Sequence, residues 1–256
     1  MTDSMIKRVT YKLRKGDVLI VQEYHDGKYG AKGLPRKEKK KATKEDIARV
    51  NKWNKTKRCQ MRLLEYFEPN DLLVTWTYKV ANRPATMKEA KKHFAEAMRK
   101  VRREIRKRGY ENFYMRNIER GTKGAWHIHF VIKEVGDTAS IVQNAWDKGG
   151  TWLTKIKDSD YYGEDMLKLA EYLTKDEHTT ETKKDGTKSK PRIKESDFHG
   201  SQNMPLPKPH PDKLYRWKKE IKPKKGYYIA RMWEGINPKT GYKYRRYTMI
   251  KLNRRI

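Results

Sequence analysis

Two histidines and a glutamate are spaced in this sequence in a way that favours a metal site. The segment from Glu119 to His129 reads E-R-G-T-K-G-A-W-H-I-H. Side chains alternate between the two faces of a β-strand, so His127 and His129 project from the same face of a strand that contains both. If the chain turns at residues 121–124, Glu119 on the preceding strand lies opposite His127 and on its face. Two imidazoles and a carboxylate at one end of a hairpin are typical ligands of a divalent metal ion.

Tyr172 is a candidate nucleophile further along the chain. It lies between Lys168 and Lys175 in the run L-K-L-A-E-Y-L-T-K, where residues at i−4, i and i+3 share one face of a helix. Neighbouring ammonium groups favour a phenolate and attract a phosphate. Taken alone, the tyrosine fits an amphipathic core position better, and a His-x-His pair alone fits a half-exposed strand. Taken together, the two patterns would let a metal polarise a phosphate held near the tyrosine.

Three motifs in this order resemble those of the HUH endonucleases that initiate rolling-circle replication. They are the strand V-T-W-T-Y at residues 74–78, the H-I-H motif and the helical Y-L-T-K motif. The resemblance extends over roughly residues 71–176 and is to the plasmid and phage branch with one catalytic tyrosine. Trp76 departs from the aliphatic residue more usual in the family, but it points away from the face of Thr75 and Thr77.

The resemblance implies a metal site and a nucleophile. Mg²⁺ or Mn²⁺ would be held by three ligands, Glu119, His127 and His129. Tyr172 would attack a phosphodiester of single-stranded DNA, keep the 5′-phosphate and release a 3′-hydroxyl, with help from Lys175 and Lys168. Tyr161 and Tyr162 lie at the start of the same predicted helix and are alternative nucleophiles.

The expected function is metal-dependent, sequence-specific nicking and joining of single-stranded DNA at the replication origin of a plasmid or phage. The 3′-hydroxyl would prime a host DNA polymerase. Unwinding would need a separate helicase, because the chain contains no P-loop motif. Two alternatives stay open. A relaxase or transposase of the same class would share the chemistry, and a non-catalytic nucleic-acid-binding module would share an RRM-like topology.

The charge of the chain favours a nucleic-acid partner. The 256 residues carry a formal net charge of +30, of which residues 71–175 account for only +7. Aromatic residues are interleaved with the basic ones in the C-terminal part, and in such a mixture cations follow phosphates while rings stack on bases. The candidates for nucleic-acid contact are Thr75, Thr77, Asn117, Trp217, Tyr227, Trp233 and Tyr244. A single cysteine and the lack of a long apolar run predict a cytoplasmic protein without a membrane partner.

The element order predicts an α+β fold with an antiparallel RRM-like or ferredoxin-like sheet. Apolar patterns predict the order β-α-β-β-α-β-α, with elements near residues 72–79, 86–107, 112–119, 125–133, 138–148, 151–157 and 162–175. The helices are expected on one face of the sheet and the DNA on the other, where Asn117 would lie opposite His129. Gly149 and Gly150 predict the C-terminal cap of the helix that precedes them.

The chain divides by composition into three predicted parts. A basic N-terminal hairpin and helix occupy residues 1–70, the endonuclease core occupies residues 71–176, and a basic linker with a C-terminal β-hairpin region occupies residues 177–256. The linker is expected to extend to residue 196. The hairpin is expected either to bind DNA or to cover an edge of the core sheet.

Overall fold

The structure is a computed structural model that describes residues 6–25, 43–156, 165–180, 185–236 and 242–252. The chain forms two compact units. The central unit contains residues 51–205, and the terminal unit combines residues 1–50 with residues 206–256. Within the described residues each unit has a five-stranded antiparallel sheet, and four α-helices complete the fold, which confirms the α+β class.

The elements follow in chain order. The strands are β1 (Ile6–Leu13), β2 (Val18–His25), β3 (Leu72–Thr77), β4 (Tyr114–Gly121), β5 (Trp126–Ile132), β6 (Thr151–Lys155), β7 (Ile193–Gly200), β8 (His210–Leu214), β9 (Tyr227–Ile236) and β10 (Lys243–Lys251). The helices are α1 (Lys44–Tyr66), α2 (Met87–Lys107), α3 (Thr138–Ala145) and α4 (Leu167–Leu173). None of these helices is both long enough and apolar enough to span a membrane.

The central sheet has the strand order β6-β3-β5-β4-β7, and one of its faces is apolar. This face packs against α2 and α3, as the alternating strand residues predict. Trp76 of β3 stacks in parallel on Trp146, which follows α3, with ring centroids 4.7 Å apart. Phe130 of β5 meets Trp76 edge to face at 4.5 Å. The opposite face carries the predicted site residues, and α4 lies on that side against β4.

The last residues of the predicted linker form a strand instead. β7 pairs antiparallel with β4 and becomes an edge of the central sheet. Its sequence, I-K-E-S-D-F-H-G, places polar residues at both phases of the alternation and so lacks the apolar period of a half-buried strand. An ion pair of 2.7 Å between Arg116 of β4 and Asp197 of β7 supports the pairing. The central unit is therefore wider than residues 71–176, since it also includes β7 and most of α1.

Gly149 and Gly150 do not cap a helix, because α3 already ends at Ala145. They lie beside β3 instead, where the Gly150 carbonyl accepts a hydrogen bond of 2.9 Å from the backbone of Thr77. A Cβ on Gly149 would overlap the Thr77 carbonyl and lie 2.8 Å from the Tyr78 Cα. A close approach of two backbone segments therefore requires glycine at position 149.

We expect Gly149→Ala to lower the free energy of unfolding by roughly 1–3 kcal/mol, the usual cost of overpacking against groups that cannot move aside. Gly150→Ala is the matched control. Its Cβ would meet the rotatable hydroxyl of Thr77 at 3.1 Å rather than backbone, so we expect a smaller loss. Urea denaturation of both variants measures the difference. Equal stability of Gly149→Ala and the parent protein would contradict the close approach described here.

The terminal sheet has the strand order β8-β1-β2-β10-β9. The C-terminal hairpin of β9 and β10 pairs with β2, so the alternative that it covers an edge of the core sheet is wrong. The turn of this hairpin, residues 237–241, lies outside the described residues. Glu23 of β2 is fully buried and pairs with Arg8 at 2.7 Å and with Arg245 at 2.6 Å, which offsets the cost of burying its charge.

Candidate active site

The β4–β5 hairpin brings the three candidate metal ligands together. Glu119 lies opposite His127, and Asn117 lies opposite His129, which is the predicted register. One ligand atom from each of Glu119, His127 and His129 lies within 4.8 Å of the other two. Metal bonds of about 2.1 Å place neighbouring ligand atoms roughly 3 Å apart, so a small closing movement would let one ion contact all three.

His129 is the centre of the hydrogen bonding in this site. Its Nε2 lies 3.0 Å from Oε1 of Glu119. Its Nδ1 lies 2.9 Å from the hydroxyl of Thr75 and 3.0 Å from the hydroxyl of Tyr172. When Nδ1 carries the proton and donates it to one of these hydroxyls, the Nε2 lone pair faces the carboxylate side. A metal-binding histidine requires that arrangement.

Electrostatics keep the ligands in the protonation states that a cation needs. Burial by itself would raise the pKa of Glu119, but the hydrogen bond and charge of His129, followed by the charge of Lys175, outweigh burial and lower it. Burial also lowers the pKa of His127, and the charge of His129 adds to this effect. At neutral pH the carboxylate is therefore ionised and the His127 imidazole is neutral, so both can donate electron pairs to a metal.

Helix α1 positions Tyr172 by holding both ends of the short helix α4. Before α4, the Gln60 side chain donates to the carbonyl of Asp165 at 2.8 Å. At its C-terminal end, the hydroxyls of Thr56 and Thr174 lie 2.7 Å apart in a buried hydrogen bond. The sequence analysis missed Gln60 and Thr56, because a threonine and a glutamine within a charged helix look the same as residues of a solvated face.

Lys175 contacts both the ligand set and the nucleophile. Its Nζ lies 3.0 Å from Oε2 of Glu119 and 4.2 Å from the centre of the Tyr172 ring. Its backbone carbonyl accepts a hydrogen bond of 3.1 Å from Asn117, whose side chain is fully buried. Lys168 is exposed on α4 one turn before Tyr172, and its role stays a prediction. The alternative nucleophiles, Tyr161 and Tyr162, lie outside the described residues.

Comparison with protein families adds an independent observation. Residues 71–177 match a family model described as replication-associated protein, of the type named for ORF2. This segment belongs to a rolling-circle replication initiator family. The match contains the whole candidate active site and supports a role in the initiation of DNA replication, with DNA binding at an origin. Comparisons of the chain with curated proteins and with solved structures found no match.

Three of the predicted nucleic-acid contacts lie in this replication initiator segment. Thr75 bonds to His129, and Thr77 exchanges hydrogen bonds of 3.2 and 3.3 Å with the backbone of Gly150. Asn117 supports Lys175 from a fully buried position, which leaves it no surface for DNA. The structure thus places Thr75 and Asn117 as supports of the candidate active site, and nucleic-acid contact by Thr75 and Thr77 stays a prediction.

The four other predicted contacts lie in the terminal unit. Trp217 packs under the guanidinium of Arg245, with its carbon 4.2 Å from the ring centre. Tyr227 donates to the carbonyl of Gly16 at 2.6 Å, so its hydroxyl has a structural role. Trp233 and Tyr244 form a tilted pair with ring centroids 4.9 Å apart, and Trp233 is 47% exposed. Within this group, Trp233 has the surface that a stacking residue needs.

Proposed function

We propose that this protein is a metal-dependent endonuclease that nicks and joins single-stranded DNA through Tyr172 and thereby initiates rolling-circle replication of a plasmid or phage. One observation carries most weight. The imidazole of His129 contacts the Tyr172 hydroxyl on one side and the Glu119 carboxylate on the other, each at 3.0 Å. A single side chain therefore joins the proposed nucleophile to the proposed metal ligands, as a reaction at one phosphate requires.

Glu119, His127 and His129 would hold Mg²⁺ or Mn²⁺. Their donor set fits a divalent ion, since it combines an ionised carboxylate with two imidazoles within 4.8 Å. Imidazole suits Mn²⁺ better than Mg²⁺, which prefers oxygen ligands. When bound, the ion supplies Lewis-acid polarisation of a non-bridging oxygen of the scissile phosphate.

Tyr172 would attack the scissile phosphorus. A bond forms between its Oη and phosphorus while the bond to the 3′-oxygen breaks. The phenolic proton passes to water, and the leaving 3′-oxygen takes a proton from water. An ordinary phenol, with a pKa of about 10, is ionised in roughly one molecule in a thousand at pH 7. Stabilisation of negative charge on the oxygen therefore matters, and donation from Nδ1 of His129 and the ammonium of Lys175 would supply it.

The phosphotyrosine would conserve the energy of the broken phosphodiester. A 3′-hydroxyl that attacks it would rejoin the DNA and release Tyr172, which accounts for joining as well as nicking. In the host cytoplasm the first 3′-hydroxyl would prime a host DNA polymerase, while a separate helicase unwinds the strands. Formation of a denaturation-resistant protein–DNA adduct with Mn²⁺, and its loss with EDTA, tests this proposal. Binding without any adduct would favour the non-catalytic module.

The terminal unit would supply most contacts with DNA phosphates. Residues 1–50 and 206–256 hold 30 Lys and Arg against 10 Asp and Glu, a net charge of +20, whereas residues 51–205 carry a net charge of +10. Each phosphate neutralised on single-stranded DNA adds about −0.7 to the slope of log affinity against log salt concentration. The distribution of charge therefore makes a measurable difference between the units.

We expect a fragment of residues 51–205 to bind single-stranded DNA more weakly than the full chain and with a shallower salt slope. It should still cleave in low salt, because it keeps every proposed ligand and the nucleophile. Fluorescence anisotropy over a series of salt concentrations measures both slopes, and circular dichroism controls for folding of the fragment. Equal slopes for the folded fragment and the full chain would show that the terminal unit does not contact DNA.

A further inference from the structure

Trp152 lies exposed on the face of the central sheet that carries the candidate active site. Its exposed fraction is 70%, whereas Trp76, Trp126 and Trp146 of the same unit are at most 5% exposed. Its position on the edge strand β6 is directly opposite Thr75, and Thr75 is opposite His129. Directly paired residues point to the same face of a sheet, so the indole lies on the side of the metal ligands.

The indole extends from its own row towards the next one. Its Nε1 lies 3.8 Å from the position that a Cβ would take on Gly150, which bonds to Thr77. Thr77 in turn lies opposite His127. The ring therefore borders the rows of both histidines, about two strand spacings, or roughly 10 Å, from His129.

Positive charge surrounds this ring. Lys155 is exposed on the same strand, and Arg83 is exposed and close enough to His127 to help lower its pKa, after burial and the other nearby charges. Burial of a tryptophan is strongly favourable, so one left in water next to cations is not explained by the core. Cations beside an exposed aromatic ring on an open sheet are the features of a site for single-stranded nucleic acid.

We propose that Trp152 stacks on a base of single-stranded DNA and so positions the strand beside the candidate active site. The ring accepts any base, because each base has a flat face, and it would hold the strand in place without reading its sequence. The identification of DNA as the ligand rests on the proposed function, whereas the stacking itself is measured independently of cleavage.

The test compares two probes with the full-length protein in EDTA, where cleavage does not occur. One probe is oligo(dT), and the other is an abasic oligomer of the same length, which keeps the phosphates but lacks bases. We expect Trp152→Ala to weaken binding of oligo(dT) by roughly 5- to 150-fold and to leave binding of the abasic oligomer unchanged. Trp152→Phe should retain most of the affinity. Tyr110→Ala, which removes a 52% exposed aromatic ring after α2, is the control and should change neither affinity.

Two results would overturn the inference: unchanged binding of oligo(dT) by Trp152→Ala, or equal losses on both probes. A parallel adduct assay separates this inference from the proposed function. An adduct on Tyr172 in the parent protein, together with unchanged binding by Trp152→Ala, overturns the stacking role alone. A base-dependent loss in Trp152→Ala without any adduct in the parent protein supports the stacking role and overturns the endonuclease.

Discussion

Replacing Tyr172 by phenylalanine is expected to abolish nicking and the covalent adduct while the fold and the binding of single-stranded DNA persist. The change removes the oxygen that forms the bond to phosphorus, and no neighbouring group can take its place. Loss of a catalytic nucleophile lowers turnover by at least about 10⁴-fold. The variant also loses the hydrogen bond to His129, but such a bond contributes only about 0.5–1.5 kcal/mol to stability.

Denaturing gels with end-labelled DNA measure the adduct, and anisotropy in EDTA measures binding by the same protein preparations. Tyr110→Phe is the matched control, since Tyr110 is an exposed tyrosine of the same unit, and this variant should keep full activity. An adduct that persists in Tyr172→Phe would rule out Tyr172 as the nucleophile. Tyr161→Phe and Tyr162→Phe would then identify which of the other two tyrosines carries the DNA.

Removal of the metal or of either histidine is expected to have the second large effect. His127→Ala and His129→Ala should each abolish cleavage with Mg²⁺ or Mn²⁺, and EDTA should do the same to the unchanged protein. Glu119→Ala should lower Mn²⁺ affinity by more than about 100-fold, because it removes the anionic ligand and leaves two neutral imidazoles. Titration calorimetry measures the affinity without any DNA present.

His178→Ala is the control for these variants, because His178 is exposed shortly after α4 and has no proposed role. Metal affinity should also fall in acid, where protons compete for the imidazoles. The pKa of His127 is lowered, so for this ligand the loss should begin below the ordinary value of about 6.5. Undiminished Mn²⁺ affinity in Glu119→Ala would mean that another acidic residue is the ligand.

The ligand set could be predicted from the sequence because local rules determine it. Strand alternation places His127 and His129 on one face, and a short turn sets Glu119 opposite His127. Both rules act within a few residues of the chain. The predicted register therefore holds in the structure without any knowledge of the rest of the fold.

The support of the nucleophile could not be predicted, because it depends on contacts between distant segments. Gln60 and Thr56 reach α4 across more than a hundred residues of sequence, and neither belongs to a recognisable pattern. The ion pair between Lys175 and Glu119 likewise exists only because α4 lies against β4. Trp152 has the apolar type of a core residue, and only the edge position of β6 reveals its exposure.

The most direct test of the central claim is to locate the covalent bond between protein and DNA. The full-length protein is incubated with a pool of random single-stranded DNA and Mn²⁺, the adducts are digested with protease and nuclease, and the modified peptide is sequenced by mass spectrometry. We expect the peptide that contains Tyr172 to carry a 5′-phosphate linked to its phenolic oxygen, and none to form in EDTA. A metal-dependent adduct on any other residue, or no adduct with a folded protein that binds the pool, would contradict the account.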